Sequence, residues 1–166
     1  MSRRWPGAAA AALALGLVVF FGWRALYPND ERLIHQRLSA LRDDVNTGGT
    51  DGLGGVARAA QIGSYFTQDV VVDQGQGTAP IVGREILIGM AARLEPRTMA
   101  FRLKFDDVGV QVAPDGSTAE VALTVSFIGR TVATGDETID AREFAFGMTK
   151  DGLWRIARVT AVDTLK

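Results

Sequence analysis

Cysteine is absent from the 166 residues, and histidine occurs once, at His35. Without cysteine there is no disulfide, no thiolate nucleophile, no cysteine-linked lipid and no cysteine-type zinc site. A lone histidine likewise excludes a histidine-rich metal centre. No cofactor and no metal is therefore expected. An excess of basic charge is missing too: 18 Lys and Arg stand against 19 Asp and Glu, a formal net charge of −1. Binding to nucleic acid needs a basic face that displaces counterions, so no nucleic-acid partner is expected. The glycine-rich stretch Gly48, Gly49, Gly52, Gly54, Gly55 is no phosphate loop. No Lys-Ser or Lys-Thr follows it, and it does not lead out of a strand.

What is present begins with one long apolar run. Trp5 to Trp23 is 19 residues without a charge. A helix of that length rises about 28 Å, close to the hydrocarbon thickness of a bilayer. Trp5, Trp23 and Tyr27 fall where interfacial aromatics sit, and Arg3 and Arg4 precede the run. That charge order keeps the N-terminus in the cytoplasm and sends the remainder across. The exit Phe21-Gly22-Trp23-Arg24-Ala25 offers no pair of small residues for signal cleavage. Two regions follow: residues 1–27 as cytoplasmic start and transmembrane anchor, and 28–166 as one domain. The expected location is a bacterial inner membrane, single-pass, with the domain periplasmic or extracytoplasmic and residues 5–23 in contact with lipid.

The domain reads as α+β. Asn29 or Asp30 caps a helix whose Ile34, Leu38, Leu41 and Val45 recur at helical spacing. A second helix is predicted from about Leu53 to Phe66, a short strand at Val70–Val72, and a third helix from Arg84 to Leu94, limited by Pro96. Alternation then takes over. Phe101, Leu103 and Phe105 share one parity and Val108, Val110 and Val112 the other, so a β-bulge is expected at Asp106-Asp107. Ala119, Val121, Leu123, Val125 and Phe127 give the next strand an apolar face. A last hairpin turns at Lys150-Asp151-Gly152.

With a three-residue loop, that hairpin pairs Met148 with Trp154, Phe146 with Ile156, Phe144 with Arg158 and Arg142 with Thr160. All of these share one large face. The other face carries the small residues Ala145, Ala157 and Val159, a flat apolar patch of the kind that partners cover. Another protein or a second copy is expected there.

Tyr65-Phe66-Thr67-Gln68-Asp69-Val70-Val71-Val72, Val82-Gly83-Arg84-Glu85-Ile86 and Asp151-Gly152-Leu153-Trp154-Arg155-Ile156 together resemble the nuclear transport factor 2-like superfamily. That group includes polyketide cyclase-like (SnoaL-like) and ketosteroid isomerase-like proteins. The resemblance covers about residues 29–163. It implies a cone, in which three helices pack on a curved, mainly antiparallel sheet and a pocket lies at the open end. Members are enzymes, ligand binders or assembly modules, and many pair through the backs of their sheets. In the steroid isomerase branch a catalytic carboxylate follows the first strand. Here that position falls at Gln74, with Asp73 on the opposite face. The branch's first-helix tyrosine has no counterpart between Asp30 and Val45, and Ile139-Asp140 resembles its second acid.

Individual residues have plainer readings beside these. His35 fits a helix-surface or half-buried structural histidine. Asp106 and Asp107 are adjacent in a strand, so they point to opposite faces and cannot chelate together. Arg142 and Arg158, above Phe144, Phe146, Met148 and Trp154, would form a ligand pocket for an apolar body with an anionic end. The competing reading ties both arginines to acids such as Asp140. No catalytic set is complete. The expected function is therefore a membrane-anchored, non-catalytic accessory module of a larger complex. One alternative is a periplasmic binder of a small apolar or anionic ligand. Another is an isomerase, cyclase or dehydratase of the ketosteroid isomerase-like type.

Overall fold

The structure is a computed structural model that describes residues 30–47, 53–75, 77–93, 99–131 and 137–162. None of the described helices is long and apolar enough to cross a membrane. The anchor expected over residues 5–23 lies outside the described residues.

Helix α1 (Asp30–Asn46) forms where the spacing predicts, and Ile34, Leu38 and Leu41 are its buried stripe. Asp30 and Glu31 occupy its first turn, where the helix dipole favours negative charge. Helix α2 (Leu53–Gly63) stops short of Phe66 because strand β1 (Phe66–Asp73) already begins there. A short β2 (Ile81–Val82) and helix α3 (Arg84–Arg93) follow. Then come β3 (Met99–Val112), β4 (Thr118–Thr131), β5 (Glu137–Asp151) and β6 (Leu153–Ala161). The sheet order is β2-β1-β6-β5-β4-β3. The β1–β6 pair is parallel, and the other neighbours are antiparallel.

One face of this sheet takes α1. Ile34, Leu38 and Leu41 share a core with Val121, Leu123, Val125, Phe146, Met148, Trp154 and Ile156. Even positions of β5 and odd positions of β4 therefore point inward, toward the helices. This is the three-helix, α+β layout expected of the cone.

Both ends of α1 are pinned to the sheet. At its start the Asp30 carboxylate accepts from Lys150 Nζ at 2.7 Å and from Trp154 Nε1 at 3.1 Å. At its end Asn46 pairs like a piece of strand with edge strand β3. Its Nδ2 donates to Leu103 O at 2.7 Å, and Leu103 N donates to its Oδ1 at 2.6 Å. Arg58 of α2 donates to the last carbonyls of α1, to Asp44 O at 3.2 Å and to Val45 O. Those carbonyls have no partner within their own helix.

Register shifts in β1, β3 and β6 set which side chains face inward, and those in β3 and β6 bear on the site. In β3 the register shifts between Asp106 and Gly109, with Asp107 at φ 52°. This is the bulge that the change of parity predicts. Another bulge lies in β6. Met148 pairs with Ile156, but Gly147 pairs with Arg158, leaving Ala157 as the extra residue. The turn is also tighter than expected. Asp151 pairs with Leu153 around Gly152, whose φ of 68° suits glycine.

Candidate active site

The inner face of β5 carries Asp140, Arg142, Phe144, Phe146 and Met148 in succession. Phe146 is buried and Phe144 half-buried, their ring centroids 6.4 Å apart. Phe105 of β3 meets Phe146 edge-on, also at 6.4 Å, an arrangement that suits the ring quadrupoles. The three rings make an apolar wall. Phe105 is a member that the sequence reading left out of the site, although its inward parity was visible.

The wall ends in charge. Arg142 lies beside Val125, and Asp140 beside Phe127. An Arg142 guanidinium nitrogen is 3.4 Å from Asp140 Oδ2, and the two side chains are 55% and 58% exposed. At that exposure the pair adds little stability, and both groups remain open to a ligand. Phe127 beside them is 44% exposed. Past Phe144, β5 keeps β4 as its neighbour, because β6 ends opposite Phe144 at Ala161. Among the strand residues described, Asp140 is the carboxylate that stands on the inner face.

Arg158 does not join this site. The bulge at Ala157 turns the following residues over, so Arg158 pairs with Gly147 on the outer face and is exposed. The expected two-arginine wall therefore reduces to Arg142 alone. Val159 turns the other way and packs inside, 8% exposed, opposite Phe146. The expected interface trio thus comes apart. Ala145 stands on the outer face beside Ala122, Ala157 is the bulge residue, and Val159 is core. On the outer face the row Gln111, Glu120, Gly147, Arg158 is largely polar, and the next row, Gly109, Ala122, Ala145, Thr160, is made of small residues. Trp154 faces inward as expected, but it is 3% exposed and tied to Asp30 at the far end of the hairpin. It holds α1 in place and stands away from Arg142.

Asp73 is also settled by its surroundings. It aligns with Thr160, an outer-face position, and accepts from Gly75 N at 2.9 Å. It shapes the turn after β1, and Gln74 is exposed. His35 is half-buried on α1. A polar cluster not foreseen in the sequence braces α1 against β1. Tyr65 donates to Asp44 Oδ2 at 2.6 Å, and Arg37 stacks 4.2 Å above the Tyr65 ring while donating to Ser64 O at 3.0 Å. Burial, helped by the Asp44 carboxylate, pushes the Tyr65 hydroxyl above its ordinary value. No group of His, Asp or Glu suited to a metal occurs among the described residues.

No family model matches the sequence, and no curated protein does. Solved structures do match. A candidate aromatic ring hydroxylase from Novosphingobium aromaticivorans superposes with a TM-score of 0.64 at 20% identity, covering 84% of this chain and 93% of that one. A candidate scytalone dehydratase from the same organism gives 0.57 at 15%, covering 89% and 87%. A ketosteroid isomerase-like protein from Erwinia carotovora atroseptica gives 0.58 at 20%, covering 82% and 99%. These neighbours carry enzyme names, and none of the three is named as an accessory subunit. The expectation of a non-catalytic accessory module is set aside on that finding. At such identities the likeness is one of fold: the described domain shares the α+β fold of these proteins.

Proposed function

We propose that the domain is a small-molecule enzyme of the isomerase, cyclase or dehydratase kind, acting on a compact and largely apolar substrate at the inner face of the sheet. The observation that carries this reading is the Asp140–Arg142 pair standing at the rim of the Phe105, Phe144 and Phe146 wall. The rings supply the surface on which an apolar body is held, at about 25 cal/mol per Å² removed from water. Asp140 is the group placed to take a proton from a carbon or hydroxyl beside a carbonyl. Arg142 offers a fixed fork of donors to oxygen charge that develops as the proton leaves. The enzyme names of the fold neighbours support an enzymatic reading. The location we propose with it is the periplasmic side of a bacterial inner membrane, with residues 5–23 as anchor.

Solvent deuterium exchange tests the reading without knowledge of the natural substrate. Full-length protein in mild detergent is given a panel of cyclic ketones and hydroxyketones, and exchange beside the carbonyl is followed by NMR. Catalysed exchange that falls about 100-fold or more in Asp140→Asn is expected, the range typical of a lost general base. Asp73→Asn should leave it unchanged. Exchange at the buffer rate throughout, or exchange indifferent to Asp140, would rule the site out.

A further inference from the structure

Among the described residues, aspartate precedes glycine at two hairpin tips: Asp115-Gly116 between β3 and β4, and Asp151-Gly152 between β5 and β6. Asp51-Gly52 lies outside the described residues. An Asp-Gly pair has a chemistry of its own. The glycine nitrogen bonds to the aspartate Cγ, and one carboxyl oxygen leaves as water, carrying the amide proton and the carboxyl proton. A succinimide ring closes. Water then opens it. Opening at the former main-chain carbonyl leaves the backbone running through the side-chain carbon, as isoaspartate, one atom longer than before. Water and a proton are the only co-reactants. Glycine permits the attack because no Cβ stands beside its nitrogen.

The reaction needs a free carboxyl, a free amide and room for the ring. Asp115-Gly116 is held. Ser117 N donates to Asp115 Oδ1 at 3.0 Å, and Ser117 Oγ donates to Oδ2 at 2.5 Å. Those bonds keep the Asp115 carboxyl below its ordinary range, as an anion that resists attack. Gly116 N donates to Ala113 O at 2.9 Å, and Asp30 Oδ2 lies 3.7 Å from where a Cβ on Gly116 would stand. Asp151-Gly152 is open on each count. The Asp151 side chain is 95% exposed and meets Arg155 Nη1 at 3.6 Å, a surface pair of little strength. Among the described residues no turn or loop bond engages the Gly152 amide, and a Cβ built on Gly152 meets no atom within 4 Å.

We infer that Asp151 is a modification site, the place where the folded domain forms isoaspartate, and that the change loosens α1. The added backbone atom falls between Lys150 and Trp154. These two pair across the hairpin, and both bond Asp30 Oδ1. Lengthening the chain between them disturbs the register that brings the ammonium and the indole N–H to one oxygen.

The test holds full-length protein in mild detergent at physiological pH and temperature for some weeks. Protein isoaspartyl methyltransferase with labelled S-adenosylmethionine then marks the new carboxyl, and peptide mapping locates it. Label in the peptide carrying Asp151 should exceed that in the peptide carrying Asp115 by at least about tenfold, since breaking one hydrogen bond of about 1.4 kcal/mol beforehand corresponds to that factor. Asp151→Glu lengthens the side chain past a ready five-membered closure, so it should lose the label and keep the fold. Aged wild type should melt below fresh protein by an amount that Asp151→Glu abolishes. Equal label at Asp115, or none at Asp151, overturns the assignment. Aged, labelled protein that melts like fresh protein overturns the effect on α1.

Discussion

Removing the Asp30 carboxylate should loosen α1 from the sheet, and the size of the effect can be worked from the contacts. One oxygen, Oδ1, accepts both the Lys150 ammonium at 2.7 Å and the Trp154 indole N–H at 3.1 Å. The Asp30 and Lys150 side chains are 20% and 30% exposed, so water screens the pair only in part. A hydrogen bond to a charged group contributes about 1.5–3 kcal/mol, and a buried donor left without its acceptor costs about 1–3 kcal/mol. Trp154 is 3% exposed and has no room to find water. The two costs overlap, and about 3 kcal/mol is expected for Asp30→Ala. For a domain of this size that lowers Tm by about 4 °C per kcal/mol, or about 12 °C. Asp30→Asn keeps an acceptor for Trp154 and loses the charge facing Lys150, so it should fall between. Acidity gives a second readout. Burial acts to raise the Asp30 carboxyl, but the hydrogen bonds from Lys150 and Trp154 and the ammonium charge outweigh it and hold the group below its ordinary value. A lowered value in the folded state contributes stability above the unfolded-state pKa of about 3.9, and loses it as pH falls through the folded value. The difference between wild type and Asp30→Asn should therefore be fully present near neutral pH, begin to shrink below about pH 4, and be lost only as pH falls through the lower folded value. Thermal melts followed by tryptophan emission and circular dichroism measure both. A Tm for Asp30→Ala within about 2 °C of wild type, some 0.5 kcal/mol by the same conversion, would refute the pinning of α1 by this contact.

Two further substitutions probe how the helices are held. Asn46→Ala removes both bonds to the Leu103 backbone; a loss of about 1–2 kcal/mol is expected, with faster hydrogen exchange at the Leu103 amide, and unchanged exchange there would count against the strand-like pairing. Gly63→Ala drives a methyl to 2.5 Å from Ile88 Cδ1 where α2 meets α3; about 1–3 kcal/mol of destabilisation should appear in urea unfolding and shrink when Ile88→Val is added, whereas an unmoved midpoint would mean that the crossing has slack.

Helical periodicity and the parity change at Asp106-Asp107 were enough to read α1 and the β3 bulge from sequence alone. The same parity signal was present in β6 and went unused. Trp154 and Ile156 are inward even positions, while Val159 is an inward odd one. Unbroken alternation would have buried Arg158 and exposed Val159, a poor exchange on solvation grounds. Alternation alone does not exclude it, since Arg158 has a long apolar stem and Ala145 and Ala157 are small enough to suit either face. The three phenylalanines of the wall were each legible as inward residues. Their meeting was not, because Phe105 and Phe146 sit two strands apart and sequence carries no register between them. The clamps made by Asp30 and Asn46 were hidden for the same reason: each joins residues far apart in the chain through one side chain.

The exposure of Asp140 follows from its place on β5. It lies 12 residues before Gly152, far from the hairpin tip, and its surroundings are set by where β6 stops. Ala161 closes the β5–β6 ladder opposite Phe144, and Val162 N still reaches Glu143 O at 2.9 Å. Below that point β5 runs on beside β4, and its inward residues lose the neighbour that would otherwise cover them. Phe146, inside the ladder, is 6% exposed, whereas the side chains of Arg142 and Asp140, outside it, are 55% and 58% exposed on the same face. An acid nearer the turn would have been buried among Met148, Trp154 and Ile156, where an unpaired carboxylate is costly. The strand end opposite the hairpin is where this fold leaves an inward-facing carboxylate in contact with water, and that is where Asp140 stands.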